Sequence, residues 1–275
     1  MRAHQSGQGN RATRCSSTNP VRKHLRRFAW LLLAVSAATG LSQSTNAAVS
    51  PGEDGLFRMT NAVRSEQRLA LLQWDDSLAR AAQAHAELLA QNGRLAHEFP
   101  GEATLALRVA QAGVHFQTVA ENIAEGPDID AIQKGWMNSP PHRANILDAR
   151  LNAVGFAVIQ RGDLLYAVAD FAHTVPSLSV DQVEAAIQKL LSAQGVPASG
   201  SRLDARETCE MSHGTAGGSS PRFVMRWQSS DLSGLPASLE EKLRTQDYHN
   251  AAVGACASAN AESGFTTYRV AVLLY

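Results

Sequence analysis

The chain has little cysteine, no net charge and no apolar run long enough to cross a bilayer, and each lack removes a class of function. Three cysteines in 275 residues, none in a metal-type spacing, exclude a zinc finger and a disulfide-dense scaffold. A formal charge of +0 comes without the basic stripe that a nucleic-acid groove requires. The apolar stretch from Phe28 to Ser42, FAWLLLAVSAATGLS, falls short of the ~20 residues of a spanning helix. The histidines form no HExxH pair on one helix, so any site must be assembled from distant segments.

What is present is a globular composition with an uneven charge. Hydrophobic residues make up 44% of the chain, ample for a core, and the length suits one generous domain or two modest ones. Residues 1–48 hold seven Lys/Arg and no Asp or Glu, leaving 18 Lys/Arg against 25 Asp/Glu in the remainder. The basic run VRKHLRR, the apolar stretch and the small polar QSTNAAVS follow one another as in a secretory signal peptide, with cleavage expected near Ala47 or Ala48. A retained anchor is the competing reading. Export, to the periplasm or the medium, leaves no stable membrane span and removes Cys15. Cys209 and Cys256 remain, enough for one bridge in an oxidising compartment or for two buried thiols.

The pattern along the rest predicts three sections: a signal peptide over 1–48, a mixed domain over 53–176, and a small α/β unit over 177–275. DGLFRMTNAVRSEQRLA and DDSLARAAQAHAELLAQNG carry apolar residues at helical spacing, the second opening on natural N-caps and closing on Asn92-Gly93. A third helix is expected from Asp128 to Asn138, stopped by Pro140-Pro141. AVGFAVIQRGDLLYAVADF reads as a hairpin. Beyond Ser177 come a helix from about Val180 to Gln194, a strand at RFVMRW, a helix at PASLEEKLRTQ, and strands at AAVGACA and FTTYRVAVLLY. LNAVGFAV with LLYAVADF, and NAAVGACA with TTYRVAVLLY, echo each other. Two unrelated hairpins and a degenerate second copy of part of the fold both explain that echo.

Few residues carry chemistry. His85 shares a helical face with Leu78, Ala82 and Leu89 and reads as a core histidine. His97 follows the end of that helix, in a loop where a side chain can project into a cleft. Glu121, in VAENIAEG, is flanked by apolar residues and needs a partner if buried, since an unpaired charge costs several kcal/mol; His97, His142 or Arg108 could supply it. A carboxylate beside two imidazoles suits a divalent metal such as Zn²⁺ and equally a polar network without one.

Taken together, Asn61 and Arg64, LQWDDSLARAAQAHA, GRLAH, ENIAEG, WMNSPPHRANIL and the hairpin resemble the CAP superfamily in its bacterial SCP-like extracellular branch, in order across residues 55 to 175. The resemblance implies a three-layer α-β-α sandwich of the α+β class, with an open cleft lined by two histidines and two glutamates. By motif His97, Glu121 and His142 fill three of those places and would be the metal ligands. The second glutamate's place holds Ser139, Ala120 stands for a glycine before Glu121, and Pro141 for one before His142. Support would come from Asn122, Ser139, Arg143 and Asn145, unless HRANIL only caps and turns the chain.

Three functions follow. One is an exported binding or interaction module whose His/Glu cleft takes a lipid, peptide or cell-wall component. Another is a hydrolase, metal-assisted or using Glu121 and His142 as acid and base on water. A serine triad through Ser139 is set aside because Pro140-Pro141 stands between it and His142. Binding by the C-terminal unit alone, through Trp227, Tyr248 and the SHGTAGGSSP loop, is a third.

Overall fold

A computed structural model of the chain describes residues 49–218, 220–245, 247–258 and 263–275. The expected signal peptide lies outside the described residues. Among those described, no helix is long and apolar enough to cross a membrane.

Helix α1 (Pro51–Glu66) starts at a reciprocal capping box, Ser50 with Glu53. Strand β1 (Gln73–Trp74) leads into α2 (Asp76–Asn92), where the Asp75 carboxylate accepts from the amides of Ser77 and Leu78 and Gly93 closes the helix at φ 61°. Next come α3 (Leu105–Gln111), β2 (Phe116–Gly126), α4 (Ile129–Asn138), α5 (Pro140–Ile146), β3 (Ala153–Arg161) and β4 (Leu164–Thr174). The four strands form one sheet in the order β1-β3-β4-β2, with β1 parallel to β3 and the other pairs antiparallel.

The sheet is covered on both faces, giving the α-β-α sandwich. Strand alternation sends Val154, Phe156 and Phe171 to one face, where they pack with Leu56 of α1, Ile132 and Trp136 of α4, and Ile146 of α5. On the opposite face Ala157, Val168 and Ile123 meet Ala82, Ala86 and Leu89 of α2. Gly155 lets the α2 backbone approach: a Cβ there would lie 2.0 Å from the Ala79 nitrogen.

Asn61 and Arg64 are structural. Asn61 exchanges two hydrogen bonds with the Leu72 backbone. Arg64, fully buried, donates to the carbonyls of Ala70, Ile146, Asp148 and Leu151. One guanidinium thereby satisfies the chain turning from α5 into β3, where a helix end leaves orphan carbonyls.

The remaining chain forms α6 (Val180–Ala193), α7 (Arg202–Glu210), β5 (Phe223–Ser229), α8 (Ala237–Thr245), β6 (Ala251–Cys256) and β7 (Tyr268–Leu274). Its antiparallel sheet has the order β5-β7-β6. Cys209 and Cys256 are joined in a disulfide with Cα atoms 5.8 Å apart.

Pro140-Pro141 follows the end of α4 and also starts a helix: the two prolines occupy the first positions of α5, where the missing amide hydrogens cost nothing. Glu121 lies within an 11-residue strand. His97 lies on a loop, as expected.

Candidate functional site

Glu121 sits on the face of β2 that looks toward α2, and its side chain is 3% exposed. One oxygen accepts from His97 Nδ1 at 2.7 Å. The other meets Arg108 Nη2 of α3 in a buried ion pair. Because a carboxylate only accepts, His97 must carry its hydrogen on Nδ1. The same guanidinium reaches the carbonyls of His97 and Ala103 at 3.3 and 3.2 Å. Arg108 thus anchors the strand carboxylate and the loop bearing the histidine at once.

Beneath this pair lies a second tier that the sequence reading assigned to the core. His85, fully buried, faces Glu102 through Nδ1 at 2.7 Å and the Ala96 carbonyl through Nε2 at 2.9 Å. Its Nε2 also lies 3.8 Å from Glu121 Oε2. Glu102 closes the loop by accepting from the Phe99 amide and stands 3.4 Å from Arg108. His85 is both a core residue and part of the network.

Asp170 completes it. It pairs directly with Glu121 across β2 and β4, so both side chains point to one face, and it is fully buried. Neither of its carboxyl oxygens meets a donor among the described residues. Burial, then the Glu121 charge, pushes the Asp170 carboxyl well above its ordinary range. With Glu121 held by a cation, the shift favours the protonated form of Asp170. The sequence reading missed both Asp170 and Glu102: Asp170 looks like a polar interruption in AVADF until its register partner is known.

His142, on α5, is half-buried, and its ring is close enough to His97 to feel its charge. Burial first and the His97 charge second lower the His142 pKa, whereas the hydrogen bond to Glu121 raises that of His97. The two rings are therefore pushed apart: His97, whose side chain is 61% exposed, holds its proton more tightly than an ordinary histidine, and His142 less tightly. Asn122 and Asn145 hold this arrangement from behind. Asn122 donates to the His142 carbonyl at 3.0 Å, and Asn145 donates to the Glu121 carbonyl at 3.2 Å and to Asn122 Oδ1 at 2.9 Å. These bonds tie α5 to β2.

Ser139 and Arg143 are placed differently. Ser139 stands between α4 and α5 without making a side-chain cap bond. Arg143 is exposed and lines a separate depression with Met137, Asn138, Pro140, Ala144 and Leu147.

The expected metal set of His97, Glu121 and His142 is not assembled as a three-ligand centre. Among the described residues no group of three or more His, Cys, Asp or Glu side chains is placed to hold a metal ion. The physical reason is on Glu121: His97 Nδ1 takes one oxygen and the Arg108 cation the other. A ligand carboxylate would have to break an ion pair to turn toward a metal.

Residues 57–171 match the cysteine-rich secretory protein family, CAP. Among relatives, the Bacillus subtilis (strain 168) protein YkwD is 30% identical over 132 residues, 48% of this chain and 51% of the relative. The membrane protein YlbC of the same organism is 33% identical over 110 residues, 38% of this chain and 31% of YlbC. The chain thus spans about half or less of these two relatives. A solved extracellular protein with an SCP domain from Bacillus anthracis is 32% identical, covering 44% of this chain and 40% of that one, with a TM-score of 0.41.

Proposed function

We propose, from the match of residues 57–171 to the CAP family, that the protein is an exported binding module whose His97–His142 surface takes an anionic or carbonyl oxygen of an envelope ligand. The observation that carries this reading is the double engagement of Glu121 by His97 and Arg108. A carboxylate held from both sides in the interior is not free to take a proton from water, as a general base must. Its effect is instead to keep His97 charged. An exposed imidazolium with a neutral imidazole beside it offers a cation and a second hydrogen-bonding nitrogen, which suits a carboxylate or phosphate of a peptide, cell-wall fragment or lipid headgroup.

One observation favours a second reading, a hydrolase. The lowered pKa of His142 keeps that ring in the neutral form a general base needs. Both readings use the same two histidines, and turnover separates them. Residues 49–275 would be titrated with soluble muropeptides, casein peptides and phosphatidylglycerol vesicles, with and without Zn²⁺, beside a His97→Ala/His142→Ala variant. Saturable binding that the variant lacks, with the ligand recovered intact, supports the module. Cleavage that the variant lacks supports the hydrolase. Equal binding by both proteins contradicts a site at these histidines.

A further inference from the structure

The C-terminal elements repeat the sandwich in order, sheet position and register. In the first, α1, α2, β2, α4, β3 and β4 follow one another; in the second, α6, α7, β5, α8, β6 and β7 do. The last strand is central in both sheets, with antiparallel neighbours on either side, β2 and β3 in one case and β5 and β6 in the other. Gly155 opposes Asp170, which opposes Glu121; Gly254 opposes Ala271, which opposes Arg226.

Packing repeats as well. A Cβ on Gly254 would lie 2.2 Å from the Arg206 nitrogen, so α7 presses on β6 as α2 presses on β3 at Gly155. On the other face α6 and α8 supply Val183, Ile187 and Leu239 to a core with Val253 and Val270, where α1 and α4 stand in the first repeat. Counted from these glycine contacts, Cys209 and Cys256 take the places of Ala82 and Ala157, both fully buried. Of the two explanations of the echoed hairpins, the duplicated fold accounts for the register, the glycine contacts and the helix order together.

The acid network is missing from this repeat. Arg226 stands where Glu121 does and Ala271 where Asp170 does, and Arg226 donates to the backbone carbonyls of Thr208 and Gly214. Among the described residues no helix separates α7 from β5, so α3 with its Arg108 has no counterpart there. What the repeat does offer is a contact to the first. Gly264, at φ +83°, lies so close to α3 that a Cβ there would be 2.6 Å from the Ala106 carbonyl oxygen. Thr266 donates its amide to the Phe116 carbonyl at 2.8 Å, its hydroxyl accepts from the Phe116 amide at 3.1 Å, and Phe265 packs edge-on against Phe116 at 5.2 Å. This segment covers the outer side of α3 at Ala106, while Arg108 leaves the inner side toward Glu121.

We infer that the C-terminal repeat braces the site of the first: residues 264–266 hold α3 so that Arg108 stays paired with Glu121. Gly264, Phe265 and Thr266 are positioning residues, acting through α3, and this holds whatever ligand the histidines take. The test uses residues 49–275 labelled with ¹⁵N and follows the Arg108 guanidinium Nη signals, assigned by their loss in Arg108→Lys. A guanidinium held by Glu121 and two carbonyls gives separate, slowly exchanging Nη signals. Phe265→Ala and Gly264→Val are expected to merge them, Phe265→Leu to keep them apart. Leu239→Ala, which weakens the repeat's core away from α3, is expected to lower Tm without merging them. Should Gly264→Val fail to fold, the two Phe265 variants and the Leu239 control decide. Unchanged signals in Phe265→Ala, or the same merging in Leu239→Ala, overturn the brace.

Discussion

Glu121 and Asp170 stand directly opposite each other on β2 and β4, two carboxyls on one face of one sheet. Like charges so placed repel. Glu121 has Arg108 and His97 as partners, whereas burial and then the Glu121 charge push the Asp170 carboxyl well above its ordinary range, toward its protonated form.

Asp170→Asn is therefore expected to fold and to be at least as stable as the parent at neutral pH, since an amide of the same shape carries no charge to bury. The sign follows from linkage. A carboxyl whose folded pKa is raised contributes fully below its ordinary value, 3.8, and loses that contribution as pH rises toward the folded value. Between the two, the parent should lose about 1.4 kcal/mol per pH unit relative to the variant. Urea unfolding at several pH values from 4 to 8 measures it; parallel curves would show that Asp170 is ionised in the fold.

Arg108→Met removes the cation from a buried carboxylate and should cost roughly 3–5 kcal/mol. Adding Glu121→Gln should return much of that loss, because the uncompensated charge goes with it. The pair is then non-additive by more than the few tenths expected of independent sites. Chemical unfolding of the two single variants and the double variant gives the answer, and simple additivity would mean that the ion pair contributes nothing.

Asn122→Ala cuts the His142 carbonyl and Asn145 from their shared partner. With buried polar groups left unpaired, a loss of about 1–3 kcal/mol is expected, together with weaker ligand binding as α5 comes free of β2. Binding unchanged in Asn122→Ala would remove the asparagines from any role in placing His142.

Helices with caps were readable before any coordinates: Asp75 and Gly93 mark both ends of α2 because each satisfies orphan backbone groups locally. The β3–β4 hairpin was readable for a similar reason, as its turn and alternation are local. α3 and β2 were not. Residues 105–111 are too few for a period, and β2 is an edge strand whose polar Glu121 and Asn122 break alternation. The site residues His97, Glu121 and His142 came from motif resemblance, while Arg108 entered as one of three possible partners. Asp170 and Glu102 depend on cross-strand register and on a loop closing over α2, which spacing along the chain does not encode.

The most direct test is the titration of the two surface imidazoles by NMR in the parent and in Glu121→Gln. The parent should show His97 above and His142 below the ordinary 6.5. The stability His97 contributes is then present below pH 6.5 and lost as pH rises through its folded pKa. In Glu121→Gln, His97 should fall toward 6.5, and His142 should rise part of the way as the neighbouring charge goes while burial remains. Two histidines that titrate identically in both proteins would contradict the claim that a buried carboxylate sets the charge of this surface.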